Sequence, residues 1–169
     1  MSDRRKEKLE NFYQKADPWG YETNTHDQNR KEIILRELKK YTSAQEFFSA
    51  LDIGAGEGWI TKDLPAHKIY GYEVSDVAAS RFANNVKRLR DEDLEGKKFD
   101  LIIATGVFYK QYDYKKMLDM IMKYANGVVL TCNIKDWEMN DLPFKVKEFD
   151  FPYRQYVEHL AIYDFSTSS

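Results

Sequence analysis

Hydrophobic positions along the chain follow two periods that alternate. Residues 3–15 place Leu9, Phe12 and Tyr13 on one side of a helical spacing. Ile33, Ile34, Leu35 and Leu38 do the same between Thr25 and Lys40, with Arg and Lys on the opposite face. Between these helices Pro18 biases Asp17 away from helix, and Gly20 permits a turn. Five segments of strand length come next, at Phe47–Ile53, Lys68–Val74, Asn85–Leu89, Phe99–Ala104 and Val128–Asn133. Helices are predicted between them at Trp59–Leu64, Ser75–Asn84 and Tyr112–Ala125. Pro65 closes the first, Ser75 caps the second with Asp76 in its first turn, and Gly127 suits the C′ position of the third. This alternation predicts a parallel sheet covered on both faces. The chain ends differently. Lys145–Phe151 and His159–Phe165 both read as strands, and the segment joining them is too short for a crossover helix, so they are expected to pair as an antiparallel hairpin.

A length of 169 residues suits one domain, residues 1–169, with a helical arm at 1–40 and an α/β core at 45–165. The net charge of −2 supplies no general attraction to nucleic acid or to an anionic membrane. No apolar run has the length of a membrane span, and none follows Arg4-Arg5-Lys6, so no secretory leader is expected. The lone Cys132 excludes an internal disulfide and suits a cytoplasmic protein. No Cys/His cluster has zinc spacing, and no metal site is expected. Trp137 and Met139 could line a pocket or form a dimer patch, so monomer and homodimer both stay open.

Chemistry concentrates at Leu51–Gly58, where Asp52, Gly54, Gly56 and Gly58 alternate after the first strand. A dinucleotide fingerprint has its third glycine one place later, and no Gly-Lys-Ser/Thr follows, which excludes a P-loop. Glycines here let the backbone turn sharply and let a ligand lie against it, and the helix start behind them is expected to offer free N–H groups. Ligands of open α/β sheets bind at the carboxyl ends of the strands. Asp52, Gly54, Ala55 and Gly56 end the first strand, and Glu73 ends the second. Asp91 or Asp93 follows the third, and Ala104, Thr105 and Gly106 end the fourth. Glu73 lies about 20 residues beyond the glycine turn, where a carboxylate can take both hydroxyls of a ribose. Val74 and Trp59 are apolar neighbours for an adenine.

Leu51-Asp52-Ile53-Gly54-Ala55-Gly56-Glu57-Gly58 resembles the first motif of the class I S-adenosylmethionine methyltransferases. The resemblance implies a Rossmann-like, single-domain, three-layer α/β sandwich, with a mostly parallel seven-stranded sheet closed by an antiparallel C-terminal hairpin. It also implies S-adenosyl-L-methionine as cofactor, its ribose on Glu73 and its adenine amino group on Asp91 or Asp93. A narrower likeness lies in Asp17-Pro18-Trp19-Gly20-Tyr21 followed by Gln28-Asn29-Arg30-Lys31, in Phe99-Asp100-Leu101-Ile102 with Val107-Phe108-Tyr109, and in Glu158-His159. These segments are similar to the nodulation-factor N-methyltransferase group. That likeness implies that Arg30 meets the methionine carboxylate, that Tyr13, Trp19 and Tyr21 form a lid within residues 1–40, and that the acceptor is a small polar molecule such as a sugar or glycan precursor.

The expected reaction is methyl transfer to N or O. Tyr109 is placed to orient an acceptor or touch the sulfonium region, and His159 is the candidate base, with His26 a further histidine near a loop. The sequence Ala104-Thr105-Gly106-Val107 lacks the Asn/Asp-Pro-Pro-Tyr/Phe pattern of enzymes that methylate nucleobase amines. Two other readings are a SAM-binding partner protein without transfer activity, and an NAD-dependent dehydrogenase, which the glycine spacing opposes.

Overall fold

The computed structural model describes residues 2–21, 23–42 and 45–166. Two helices come first, α1 at Ser2–Phe12 and α2 at Thr25–Lys39. The side chain of Asn24 caps α2 by accepting from the N–H groups of His26 and Asp27. The strands are β1 (Phe47–Ile53), β2 (Ala66–Tyr72), β3 (Val86–Leu89), β4 (Phe99–Thr105), β5 (Ala125–Ile134), β6 (Lys145–Tyr153) and β7 (Tyr156–Asp164). They form one seven-stranded sheet in the order β3-β2-β1-β4-β5-β7-β6. The five strands β1 to β5 are mutually parallel, while β7 runs antiparallel to both β5 and β6. The α/β sheet with its closing hairpin is therefore as the sequence implies.

The strands nearest the centre are buried on both faces, which is why they read as continuous apolar runs. On one face Leu51, Ile53, Ile102 and Ala104 meet α4 (Tyr114–Tyr124) through Met120, Ile121 and Tyr124. On the other, Ala50, Leu101 and Ile103 meet α2 through Ile33, Ile34 and Leu38. No helix among the described residues is long and apolar enough to cross a membrane.

Two predicted helices are nearly absent. After the glycine loop there is only a 3-10 turn at Thr61–Asp63. Pro65 forces Leu64 into extended backbone, with ψ 139°, and Thr61 is drawn down onto Asp52, so too little chain is left to wind a helix. After β2, Ser75 does cap a helix through the N–H of Ala78, but α3 covers only Asp76–Ala79. Phe82 then turns inward and lies against Gly71, where a Cβ would come within 2.7 Å of its ring. A third difference concerns Gly127, which sits inside β5 and not at a helix end. A register shift opposite Phe99 and Leu101 brings it so close to β4 that a Cβ would stand 2.4 Å from the Asp100 carbonyl oxygen.

Candidate functional site

β1 and β4 are neighbours, yet the chain leaves them toward opposite edges of the sheet, β1 toward β2 and β4 toward β5. Such a point leaves a crevice at the carboxyl ends of the strands. Here a cavity of about 420 Å³ opens there. Asp52, Gly54, Ala55 and Gly56 line it from β1 and its loop, Glu73 and Val74 from the end of β2, and Thr105, Gly106 and Val107 from the end of β4.

The alternating glycines are a requirement of this backbone. Gly54, Gly56 and Gly58 have φ of 75°, 61° and 83°, a region that side chains rarely enter. A Cβ on Gly54 would lie 2.5 Å from Val107 Cγ1, and one on Gly56 would lie 3.0 Å from the Tyr13 hydroxyl. The loop amides are used internally, and no long helix starts behind them. Gly54 and Ala55 donate to the Tyr72 carbonyl at 2.8 and 3.2 Å, and Gly56 donates to Glu73 Oε1 at 2.7 Å. The site is thus not an anion cradle of free N–H groups. It works through side-chain charge.

Three charged groups define it. Glu73 is buried, and Oε2 accepts from the Ser75 N–H at 2.9 Å. Burial raises its pKa, and the Ser75 and Gly56 N–H groups oppose the rise. These two bonds fix the carboxylate while each oxygen keeps further accepting capacity, which a ribose diol can use. Asp52 is also buried. Its Oδ2 accepts from Thr61 Oγ1 at 2.7 Å, while its buried Oδ1 has no hydrogen-bond partner among the described residues. Burial pushes the Asp52 pKa up to about 7, against the pull of the Thr61 hydroxyl and the Arg30 charge. An unsatisfied buried acceptor is costly, and a cationic donor entering the cavity would relieve it. Arg30, on α2, lines the same cavity. Its Nε bonds Glu158 Oε1, its Nη2 donates to the Cys132 carbonyl at 3.0 Å, and Nη2 lies 3.6 Å from where a Gly106 Cβ would be. An acceptor at Asp52 and a guanidinium at Arg30 match the two charges of an α-amino acid, and Glu73 matches a diol.

The opposite wall is aromatic. Trp19 and Tyr21 stack at 6.3 Å and 12°, and Tyr21 and Trp59 at 5.3 Å and 28°. The Trp19 indole N–H donates to the Tyr13 hydroxyl at 3.3 Å. Both oxygens of Glu57 accept from the Asp17 N–H, at 2.9 and 3.0 Å, and Arg81 holds Glu57 at 2.7 Å. From the other side Asp27 receives the Tyr153 hydroxyl at 2.5 Å and pairs with Arg154 at the hairpin turn.

Most residues singled out from sequence converge here. Tyr13, Trp19, Tyr21, Arg30, Asp52, Gly54, Ala55, Gly56, Trp59, Glu73, Val74, Asp91 and Thr105 all line the cavity. Asp91 has both oxygens engaged, one by the Tyr72 hydroxyl at 2.8 Å and one by Lys116 at 3.0 Å. Five residues do not line it. Gly58 packs on Phe82, and Ala104 is fully buried in β4. Asp93 caps its own turn by accepting from the Arg90 N–H at 2.8 Å. The Tyr109 hydroxyl accepts from the Ile134 N–H at 2.7 Å, and burial raises its pKa, so it remains a phenol. His159 stands on β7 between Glu138 and Glu148, at 2.7 and 3.0 Å. Sequence reasoning missed Tyr112, Lys116, Arg88 and Leu89 as lining residues, because no motif marks the loop before α4, α4 itself or the short β3. No group of His, Cys, Asp and Glu among the described residues could hold a metal ion.

A switch-point cavity that offers a diol carboxylate, an unsatisfied acid and a guanidinium fits the adenosyl-amino-acid cofactor of class I methyltransferases. A methyltransferase domain family matches residues 12–164, and the chain belongs to that family. No curated protein matches the chain significantly in sequence. The fold is similar to that of N-methyltransferase NodS from Bradyrhizobium japonicum WM9 in complex with S-adenosyl-L-homocysteine, with a TM-score of 0.77 and 18% identity over 95% of this chain and 97% of that one. It is similar also to magnesium protoporphyrin IX methyltransferase from Synechocystis PCC 6803 with bound SAM, with a TM-score of 0.66 and 12% identity over 95% and 96% of the two chains. The chain is thus a member of a methyltransferase domain family, and it has the fold of these two enzymes.

Proposed function

We propose that the protein transfers the methyl group of S-adenosylmethionine to an N or O atom of a small polar acceptor, a sugar or glycan precursor, in the cytoplasm. The observation that carries the cofactor part is the placement of Asp52, Arg30 and Glu73 around one cavity. The similarity to NodS, an N-methyltransferase, supports an amine acceptor. When bound, the cofactor supplies a methyl group already activated by its sulfonium, so the protein mainly has to position the partners. Asp52 would take the ammonium, Arg30 the carboxylate and Glu73 the ribose diol. Residues 13–21 with Trp59 would act as a lid that excludes water.

Neither of the two candidate bases is placed to take a proton from an acceptor. Tyr109 stays protonated and His159 stands outside the cavity. An acceptor amine must therefore arrive neutral. Its lone pair forms the new N–C bond as the C–S bond breaks, and its surplus proton passes to water.

The test is transfer of isotopically labelled methyl from SAM to a panel of glucosamine oligomers, simple amino alcohols and a catechol. Labelled amino sugar, with a rate that rises with pH as the amine is deprotonated, is the expected result. Labelling of the catechol alone would overturn the acceptor assignment.

A further inference from the structure

His159 is paired in a way that a surface histidine does not need. Its Nδ1 lies 2.7 Å from Glu138 Oε1 and its Nε2 lies 3.0 Å from Glu148 Oε1. The other oxygen of Glu138 accepts from Asn133 Nδ2 at 2.8 Å. Asn133 is fully buried on β5, and its Oδ1 accepts from the N–H groups of Val107 and Phe108 at 3.2 and 3.3 Å. Next to Glu138, the Met139 N–H donates to the Phe108 carbonyl at 2.8 Å. A continuous polar chain therefore runs from the hairpin to the segment after β4. Val107 lines the cavity and is the residue that a Cβ on Gly54 would strike. The chain ends against the glycine loop.

We infer that Glu138 and His159 are positioning residues, which through Asn133 brace residues 106–109 against the glycine loop and so set the shape of the cofactor cavity. This rests on the assignment of that cavity to the adenosyl cofactor. The ring bridges Glu138, which reaches Asn133, and Glu148 on β6. Charged neighbours in register or in sequence have partners of their own. Asp150 on β6 is opposite His159 in register and pairs with Lys135 at 2.6 Å, Lys145 pairs with Glu148 at 3.1 Å, and Glu158, next in the chain, is held by Arg30. Asn133, its partner on β5, is neutral.

Two readouts on the full chain test the brace, with His159→Asn and the milder Glu138→Gln as variants and melting curves as the check on folding. The first is amide exchange of Val107 and Phe108 without ligand. At pH 6 it should be about tenfold faster in His159→Asn than in the native protein, with Glu138→Gln between them. The second is calorimetric affinity for S-adenosylhomocysteine. His159→Asn should bind about tenfold more weakly than native. Equal exchange rates in native and variant would overturn the brace. Faster exchange in the variant, with no binding by native protein, would support the brace and overturn the cofactor assignment.

Discussion

The two walls of the cavity are held together by different means. The strand-end wall, from Asp52 to Gly56 and on to Glu73, is made of short-range geometry in which each residue follows from the backbone next to it. The cap wall, from Tyr13 to Tyr21 with Trp59, is fastened by side chains distant in sequence. Asp17 hangs on Glu57, Trp19 on Tyr13 and on the Arg154 guanidinium, and Asp27 on the β6–β7 turn. One wall is built from glycine and buried carboxylate, and tolerates almost no change. The other is built from rings and partly exposed ion pairs, and can open. A cofactor that must enter, react and leave as a different species needs one fixed surface and one that yields.

The largest effect should come from the fixed wall. Gly56→Val places a side chain in the cavity at a φ of 61°, so affinity for S-adenosylhomocysteine should fall by ~100-fold or more in calorimetry. Retained binding would mean that the ligand does not lie against this backbone.

Asp52→Asn comes next. It removes the charge proposed to meet the ammonium, and affinity should fall about tenfold or more at pH 8. The same change should stabilise the ligand-free protein. The folded-state pKa of Asp52 lies at about 7, above the usual carboxylate value, so its favourable contribution is complete below pH ~4 and disappears as pH rises through 7. At pH 8 the variant should be more stable by an amount of order 3 kcal/mol, with no such gain at pH 4. Melting curves at the two pH values read this directly. A variant no more stable at pH 8 than the native protein would refute the account of Asp52.

On the cap wall the expected effects are smaller. Arg81→Ala removes the partly buried partner of Glu57, for a loss of ~1 kcal/mol that should appear mainly as faster cofactor release. Stopped-flow displacement of S-adenosylhomocysteine measures it, and an unchanged release rate would detach the arm from the site. Smallest of all, Arg154→Ala opens the latch at the hairpin turn and should speed release about twofold at near-constant melting temperature.

The same contrast explains what could be read from the sequence. The central strands were legible because buried parallel strands are apolar throughout, and the hairpin because too few residues separate its arms. Asp52, the glycines and Glu73 were legible because a local motif encodes them. The missing helices were not. Their periodicity at Trp59–Leu64 and Ser75–Asn84 was real, but Thr61 is taken by Asp52, Pro65 extends Leu64, and Phe82 fills the space over Gly71. Gly127 read as a helix stop because nothing local reveals the approach of Asp100. His159 read as a base because its two carboxylate partners lie 21 and 11 residues away. Long-range pairing of this kind leaves no periodic trace.

Calorimetric titration of the native protein with SAM, S-adenosylhomocysteine and NAD side by side tests most directly whether one cavity holds an adenosyl amino acid through Asp52, Arg30 and Glu73. Micromolar binding of the two adenosyl ligands, about −8 kcal/mol, with no heat from NAD is the predicted result. Binding of NAD in preference to either would contradict it, since NAD has no amino acid head for Asp52 and Arg30 to hold.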